Sequence, residues 1–160
     1  MPATYDPIAT QTLGSAAASV TFSSIPSTYT DLIAVFSGAS TGGFESVRVR
    51  TNGDTGSNYS RLLLIGTGSV AGLSRANNES YLTLGAMNTT TSNTLWQFMN
   101  YSNTTTNKTV LTRTNVASNT VRATLGLWRN TSAITQLDFS ASVSTIAAGS
   151  TFTIYGIKAA

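Results

Sequence analysis

Histidine and cysteine are both missing from the 160 residues of this chain. Imidazole is the usual proton carrier near neutral pH, and thiolate is the usual soft nucleophile and metal ligand. Without them the sequence has neither a Ser-His or Cys-His catalytic arrangement nor the ligands of an ordinary zinc site. Disulfides are excluded too, so the fold must hold by packing and hydrogen bonding alone. Charge is scarce, at 9% of residues, and there are three prolines. No segment offers the roughly 18 consecutive apolar residues of a membrane span. The start, Met1-Pro2-Ala3-Thr4-Tyr5-Asp6-Pro7, lacks the basic and apolar regions of a secretory signal. A soluble chain made in a cytosol, with no membrane partner, is expected.

What fills the space is serine, threonine and asparagine beside 41% apolar residues, with a mean hydropathy of +0.06. That apolar share is too high, and the charge too low, for solvated disorder. One domain over 1-160 is expected, long enough to bury about two-thirds of its unfolded surface. Nine Lys or Arg against six Asp or Glu make the net charge +3. The basic residues stand singly, the densest feature being Arg48 and Arg50 on one strand face, so no nucleic-acid partner is expected. Seven Asn-x-Ser/Thr sequons, Asn58-Tyr59-Ser60 among them, follow from composition.

Thr, Val, Ile and aromatic residues recur in short runs between Gly, Asn and Ser, while helical spacing is almost absent. Strands are expected at Pro7 to Leu13, Ser19 to Phe22, Asp31 to Phe36, Glu45 to Thr51, Ser60 to Ile65, Ser80 to Leu84, Thr94 to Tyr101, Thr109 to Asn115, Thr120 to Trp128, Ile134 to Ala141 and Thr151 to Ile157. Val121, Ala123, Leu125 and Leu127 alternate with Arg122 and Thr124, the pattern of a strand with one wet face. Ile134, Leu137 and Phe139 break the period, so that strand carries a bulge or starts later. Asn52-Gly53 is the strongest hairpin signal. An all-β, antiparallel two-sheet β-sandwich of jelly-roll type follows. A faint echo links Leu13 to Phe22 with Ile146 to Phe152, and Asn100 to Asn107 reads as an exposed loop.

Chemistry finds little purchase. Gly66-Thr67-Gly68-Ser69-Val70-Ala71-Gly72 has the wrong spacing for a phosphate loop and no helix behind it, so it reads as an inter-strand loop. Asn52, Asp54 and Asn58 resemble a calcium loop but lack its terminal glutamate; a turn capped by its own side chains fits better. Asp6, Asp31, Glu45, Asp54, Glu79 and Asp138 form no close pair in sequence of the kind a glycosidase needs. Trp96, Tyr101, Trp128 and Tyr59 are candidates for a sugar-stacking platform. The surroundings of Trp96 (Leu95, Phe98, Met99) and the apolar run ending at Trp128 favour packing instead. No residue is assigned as catalytic, cofactor-binding or metal-ligating, and no enzymatic activity is expected.

Several stretches are familiar together: Tyr5-Asp6-Pro7-Ile8-Ala9; Val20-Thr21-Phe22-Ser23-Ser24-Ile25-Pro26; Val47-Arg48-Val49-Arg50-Thr51-Asn52-Gly53-Asp54; Gly126-Leu127-Trp128-Arg129; and Ala147-Ala148-Gly149-Ser150-Thr151-Phe152. In this order, across nearly the whole chain, the sequence resembles small structural proteins of tailed bacteriophages. The resemblance implies a virion component, assembled in the host cytoplasm, and supplies no binding-site pattern. The expected role is a capsid decoration, or cement, protein that docks on the major capsid protein as a homotrimer. The alternative is a tail-associated module that binds host surface glycans.

Overall fold

Runs of Thr, Val and Ile crowd a helix but fit a pleated surface. The computed structural model describes residues 4–117 and 120–158, and among these it contains strands and no helix. In chain order the strands are β1 (Tyr5–Thr12), β2 (Ser19–Phe22), β3 (Asp31–Gly38), β4 (Glu45–Thr51), β5 (Tyr59–Gly66), β6 (Ala71–Glu79), β7 (Leu82–Met87), β8 (Ser92–Met99), β9 (Lys108–Val116), β10 (Thr120–Trp128), β11 (Leu137–Ala141) and β12 (Thr151–Ile157). The all-β expectation is borne out. The irregular strand begins at Leu137 rather than Ile134, Ser80 to Leu84 moves to Leu82–Met87, and Tyr101 lies beyond the end of β8.

The unforeseen strand is β6, whose one large apolar residue is Leu73 and whose composition is poor in strand formers. Pairing with β5 holds it in place. The joining turn is closed by the Thr67 N–H donating to the Val70 carbonyl at 2.9 Å. Gly68 there adopts φ 64°, which glycine accepts without strain. Gly66 and Gly72 thus belong to strands, and only the centre of the glycine-rich stretch is loop.

Two antiparallel sheets carry these strands, one in the order β1-β12-β3-β8-β9-β10-β5-β6 and the other β2-β11-β4-β7. The first four strands of the larger sheet each continue directly into a strand of the smaller one: β1 into β2, β3 into β4, and β8 and β12 from β7 and β11. That is a jelly roll, an antiparallel ribbon rolled across two facing sheets. Two inserted pairs, β5-β6 and β9-β10, extend the larger sheet past β8.

Backbone pairing continues round the corners between the sheets. Ala17 and Ile146 exchange hydrogen bonds at 3.0 and 2.8 Å, Ala147 N–H donates to the Ala39 carbonyl at 2.8 Å, and Ser40 N–H donates to that of Asn88 at 2.8 Å. The two echoed segments are therefore partners: Leu13 N–H donates to Ser150 at 2.9 Å and Gly149 N–H to Leu13 at 2.7 Å. Small residues recur in both because two backbones must approach at the same bend.

Asn52-Gly53 corrects a sequence expectation. The pair does turn the chain, with φ 52° and 65° and the Asp54 N–H donating to the Thr51 carbonyl at 3.0 Å. It joins β4 in one sheet to β5 in the other, however, and closes no hairpin. The Asn52 side chain instead binds the segment before β11: its Oδ1 accepts the N–H groups of Thr135 (2.9 Å) and Gln136 (3.0 Å), and its Nδ2 donates to Ala133 at 2.8 Å. These bonds fix residues 133–136 beside the turn, just ahead of β11.

The facing sheets share one apolar core. Trp96, Phe98, Phe36 and Phe152 enter it from the larger sheet, and Val49, Leu82, Leu84 and Phe139 from the smaller. Phe139 lies 4.9 Å from Trp96 and 5.2 Å from Phe152, ring to ring, so it bridges the layers. Gly126 makes room on β10 for the Leu82 and Leu84 side chains, which a Cβ would press at 3.2 and 3.0 Å. An alanine there would require both leucine side chains to shift by a few tenths of an ångström.

Candidate functional site

Period-2 alternation shows that the two faces of β10 differ, and the structure decides which is covered. Thr120, Thr124, Gly126 and Trp128 point inward, while Val121 is 61% exposed and Leu125 51%. The more apolar row thus faces water. Leu125 lies between Leu111 of β9 and Leu62 of β5, and Ala123 lies between Arg113 and Leu64, which pairs on with Leu73 of β6. Cross-strand partners share a face, so Leu62, Leu64, Leu73, Leu111 and Leu125, all exposed, form one apolar surface on the outside of the extended sheet. Met99 and Leu95 continue it on β8. Shallow depressions open on it, one of about 390 Å³ lined by Leu95, Arg113 and Val121. Arg113 and Arg75 are its charged side chains, and both are exposed.

The size of this face matters. Five strands about 4.8 Å apart and six residues of about 3.4 Å each make roughly 500 Å² in projection, an area the leucines share with Gln97, Thr109, Ser60, Arg75 and Arg113. The largest apolar patch on a typical monomer is about 300–600 Å², and a specific interface buries about 800 Å² per partner. The run Leu62-Leu63-Leu64-Ile65 carries the sequence signal for it. Such a run is apolar on both sides of a strand, whereas a sandwich covers only one.

The four aromatic candidates for a sugar platform are all interior. Trp96, Tyr59 and Tyr101 have no exposed surface and Trp128 has 1%. Tyr59 stacks on Trp128 with centroids 6.4 Å apart, and the Tyr101 hydroxyl donates to the Pro26 carbonyl. These residues cannot form a platform on the surface.

The calcium-like trio is spread over other duties. Asp54 accepts hydrogen bonds from Gly56 N–H (2.8 Å), Asn58 Nδ2 (2.9 Å) and Trp128 Nε1 (2.7 Å). Burial alone would raise its pKa, but these three donors outweigh it and hold the carboxyl below its ordinary value. Asn58 presents nitrogen to Asp54 rather than oxygen to a metal, and Asn52 is turned toward β11. Millimolar calcium should therefore leave the melting temperature unchanged within about 1 °C, since only a ligand of the native state shifts it. A rise of several degrees that Asp54→Asn removes would restore the calcium reading.

The remaining acids are held apart. Asp6 pairs with Lys158 at 2.5 Å, Asp31 accepts from Asn100 N–H at 2.7 Å, and Asp138 accepts from Thr21 and Gln136 at 2.7 and 3.0 Å. Among the described residues, no three of the possible metal-ligating side chains come together. Arg48 and Arg50 lie on the outer face of the smaller sheet, over the Tyr81 ring at 4.3 and 5.9 Å, and Arg50 Nε donates to the Ser80 carbonyl. They form a local stack rather than a phosphate stripe.

Sequence reasoning passed over Lys108, a buried lysine whose Nζ donates to the carbonyls of Thr106 (2.7 Å) and Thr131 (3.0 Å). Burial pushes its ammonium below the ordinary lysine value. It ties the exposed Ser/Thr/Asn loop before β9 to the segment after β10, and a lone lysine carries no sequence signal of such a task.

No protein-family model and no curated protein matches the sequence. Solved structures give only remote likenesses. An exo-inulinase from Aspergillus awamori is 11% identical with a TM-score of 0.46, and the match covers 96% of this chain but 29% of the inulinase. A galectin from Caenorhabditis elegans is 9% identical with a TM-score of 0.37, covering 91% of this chain and 94% of the galectin. The alginate lyase Aly36B is 10% identical at a TM-score of 0.36, covering 92% and 77% of the two chains. Likeness at this level says nothing of activity.

Proposed function

We propose that this protein is a structural component of a tailed-bacteriophage virion, a decoration protein that binds the outside of the head and reinforces contacts between major capsid subunits. The observation that carries this reading is the exposed apolar face over β9, β10, β5 and β6, set on a rigid jelly roll. A surface of that area and composition is unfavourable in water and favourable against another protein. Its near lack of charge keeps the desolvation cost low. Its occupant in this reading is the major capsid protein, whose repeated subunits would meet this face of the extended sheet. The homotrimer and the virion location belong to the same proposal, and catalysis has no part in it.

Decoration of heads assembled without this protein provides the test. The parent chain should saturate at hundreds of copies per head, as a trimer in solution. Leu64→Asp with Leu125→Asp should lower occupancy by at least about tenfold, because two charges would be buried unpaired at the centre of the contact. Both sites are exposed, so the melting temperature should stay within a few degrees. Copies confined to the tail, or undiminished decoration by the double variant, would overturn the proposal.

A further inference from the structure

Three buried side-chain polar atoms have no hydrogen-bond partner among the described residues: Arg61 Nε, Thr112 Oγ1 and Arg122 Nε. All three lie on the inner face of the extension. Thr112 is opposite Thr124, Arg122 is two residues from Thr124 along β10, and Arg61 is opposite Gly126, two residues the other way. Alternation puts them on one side of the sheet. Buried donors without partners are rare, and three gathered around one threonine call for a cause.

Charge sharpens the point. The ion pair found among the described residues joins Lys158 to Asp6, so neither arginine has a carboxylate. Burial, and then the positive charge of Arg61, lower the pKa of Arg122. The exposed Phe44 ring lies 4.9 Å from the Arg122 guanidinium carbon and restrains that side chain. Two cations on one inner face, with no carboxylate paired to either among the described residues, suit an anion from outside the chain.

The surroundings describe what enters. β7 is the free edge of the smaller sheet, and β5 and β6 extend past it. Leu63 and Ile65 lie on the same inner face as Arg61, half-buried beside the two guanidinium groups. The strip is therefore apolar with two cations, the chemistry of an acidic side chain carried on a peptide.

We propose that Arg61 and Arg122 receive a carboxylate of a protein partner, an Asp or Glu side chain that enters the strip between β7 and β5. Guanidinium nitrogens bind a carboxylate in planar, charge-assisted pairs. This site lies on the face opposite the apolar docking surface and does not depend on where in the virion the protein sits.

Titration of the ¹⁵N-labelled protein with a capped tetraglutamate peptide, followed through the arginine Nε–H signals, tests it. The signals of Arg61 and Arg122 should move together and saturate, while those of Arg48 and Arg113 stay put. The tetraglutamine counterpart should leave all four unmoved, and inorganic phosphate should require a higher concentration. Arg61→Gln and Arg122→Gln should each weaken peptide binding at least about tenfold. The parent protein answers the question even if a variant fails to fold. Unmoved signals, an equal response to the glutamine peptide, or tighter binding of phosphate would each overturn the assignment.

Discussion

Replacing Glu45 by alanine will cost about 3 kcal/mol of stability, a fall of about 6–12 °C in melting temperature for a domain of this size. Glu45 opens β4 and is 6% exposed. Its Oε1 accepts Ser40 Oγ–H at 2.6 Å and Ser144 Oγ–H, and its Oε2 accepts the N–H groups of Val143 and Ser144 at 2.8 and 3.1 Å. Ser40 belongs to the β3–β4 crossing and residues 143–144 to the β11–β12 crossing, so one carboxylate ties two corners of the roll together. Alanine would leave the buried Ser40 hydroxyl and the half-buried Ser144 donors without this acceptor, the expensive half of a lost hydrogen bond.

The same carboxylate makes stability depend on pH. Burial would raise the Glu45 pKa, but the Ser144 and Ser40 hydroxyls and the Val143 and Ser144 amides outweigh it and bring the value from 4.5 to about 2. A pKa lowered by folding means that the unfolded chain binds the proton more tightly. The stabilisation is complete above pH 4.5 and is lost as pH falls towards about 2, amounting to about 3 kcal/mol in all. Urea midpoints of the parent and Glu45→Ala should therefore converge between those two values. Equal midpoints at pH 7 would sink the claim.

Trp96→Ala is expected to be the most damaging core change, at about 3–5 kcal/mol. The indole is fully buried on the inner face of β8, packs 4.9 Å from Phe139 of the opposite sheet, and donates Nε1–H to the Leu84 carbonyl. Truncation would open a cavity between the two layers and strand that carbonyl. Trp96→Phe should recover most of the packing but not the hydrogen bond, leaving about 1–3 kcal/mol of deficit. Thermal melts of the three proteins should rank parent, Trp96→Phe, Trp96→Ala, with the last about 6–20 °C below the first. A melt within about 3 °C of the parent would show that the indole is not a bridge. The large cost also disqualifies Trp96→Ala as a probe of surface binding, because lost binding would then report lost fold.

Some elements were legible because they depend on neighbours in sequence. Val47 to Arg50 alternates, and β4 does have Val47 and Val49 buried with Arg48 and Arg50 outside. Phe152 and Ile154 alternate with Thr153 and Tyr155, and β12 has the first two buried and the other two half-buried. Asn52-Gly53 announced a turn correctly, because positive φ at both residues is a local matter. Which sheet received the next strand was not local, so the expected hairpin became a crossing.

The sequence by itself determined an all-β sandwich, through short runs of strand-forming residues split by glycine, asparagine and serine, and it determined that imidazole and thiol chemistry are absent. Tertiary structure decided the rest. Alternation distinguishes two faces of a strand without saying which meets the other sheet. The smaller sheet covers one side of β10 and leaves Leu125 in water, while Trp128 goes inside. Arg61 and Arg122 lie 61 residues apart in the chain and share one inner face because β10 pairs with β5, and no local pattern encodes that placement. Only the pairing of distant strands placed the surfaces through which this protein is proposed to act.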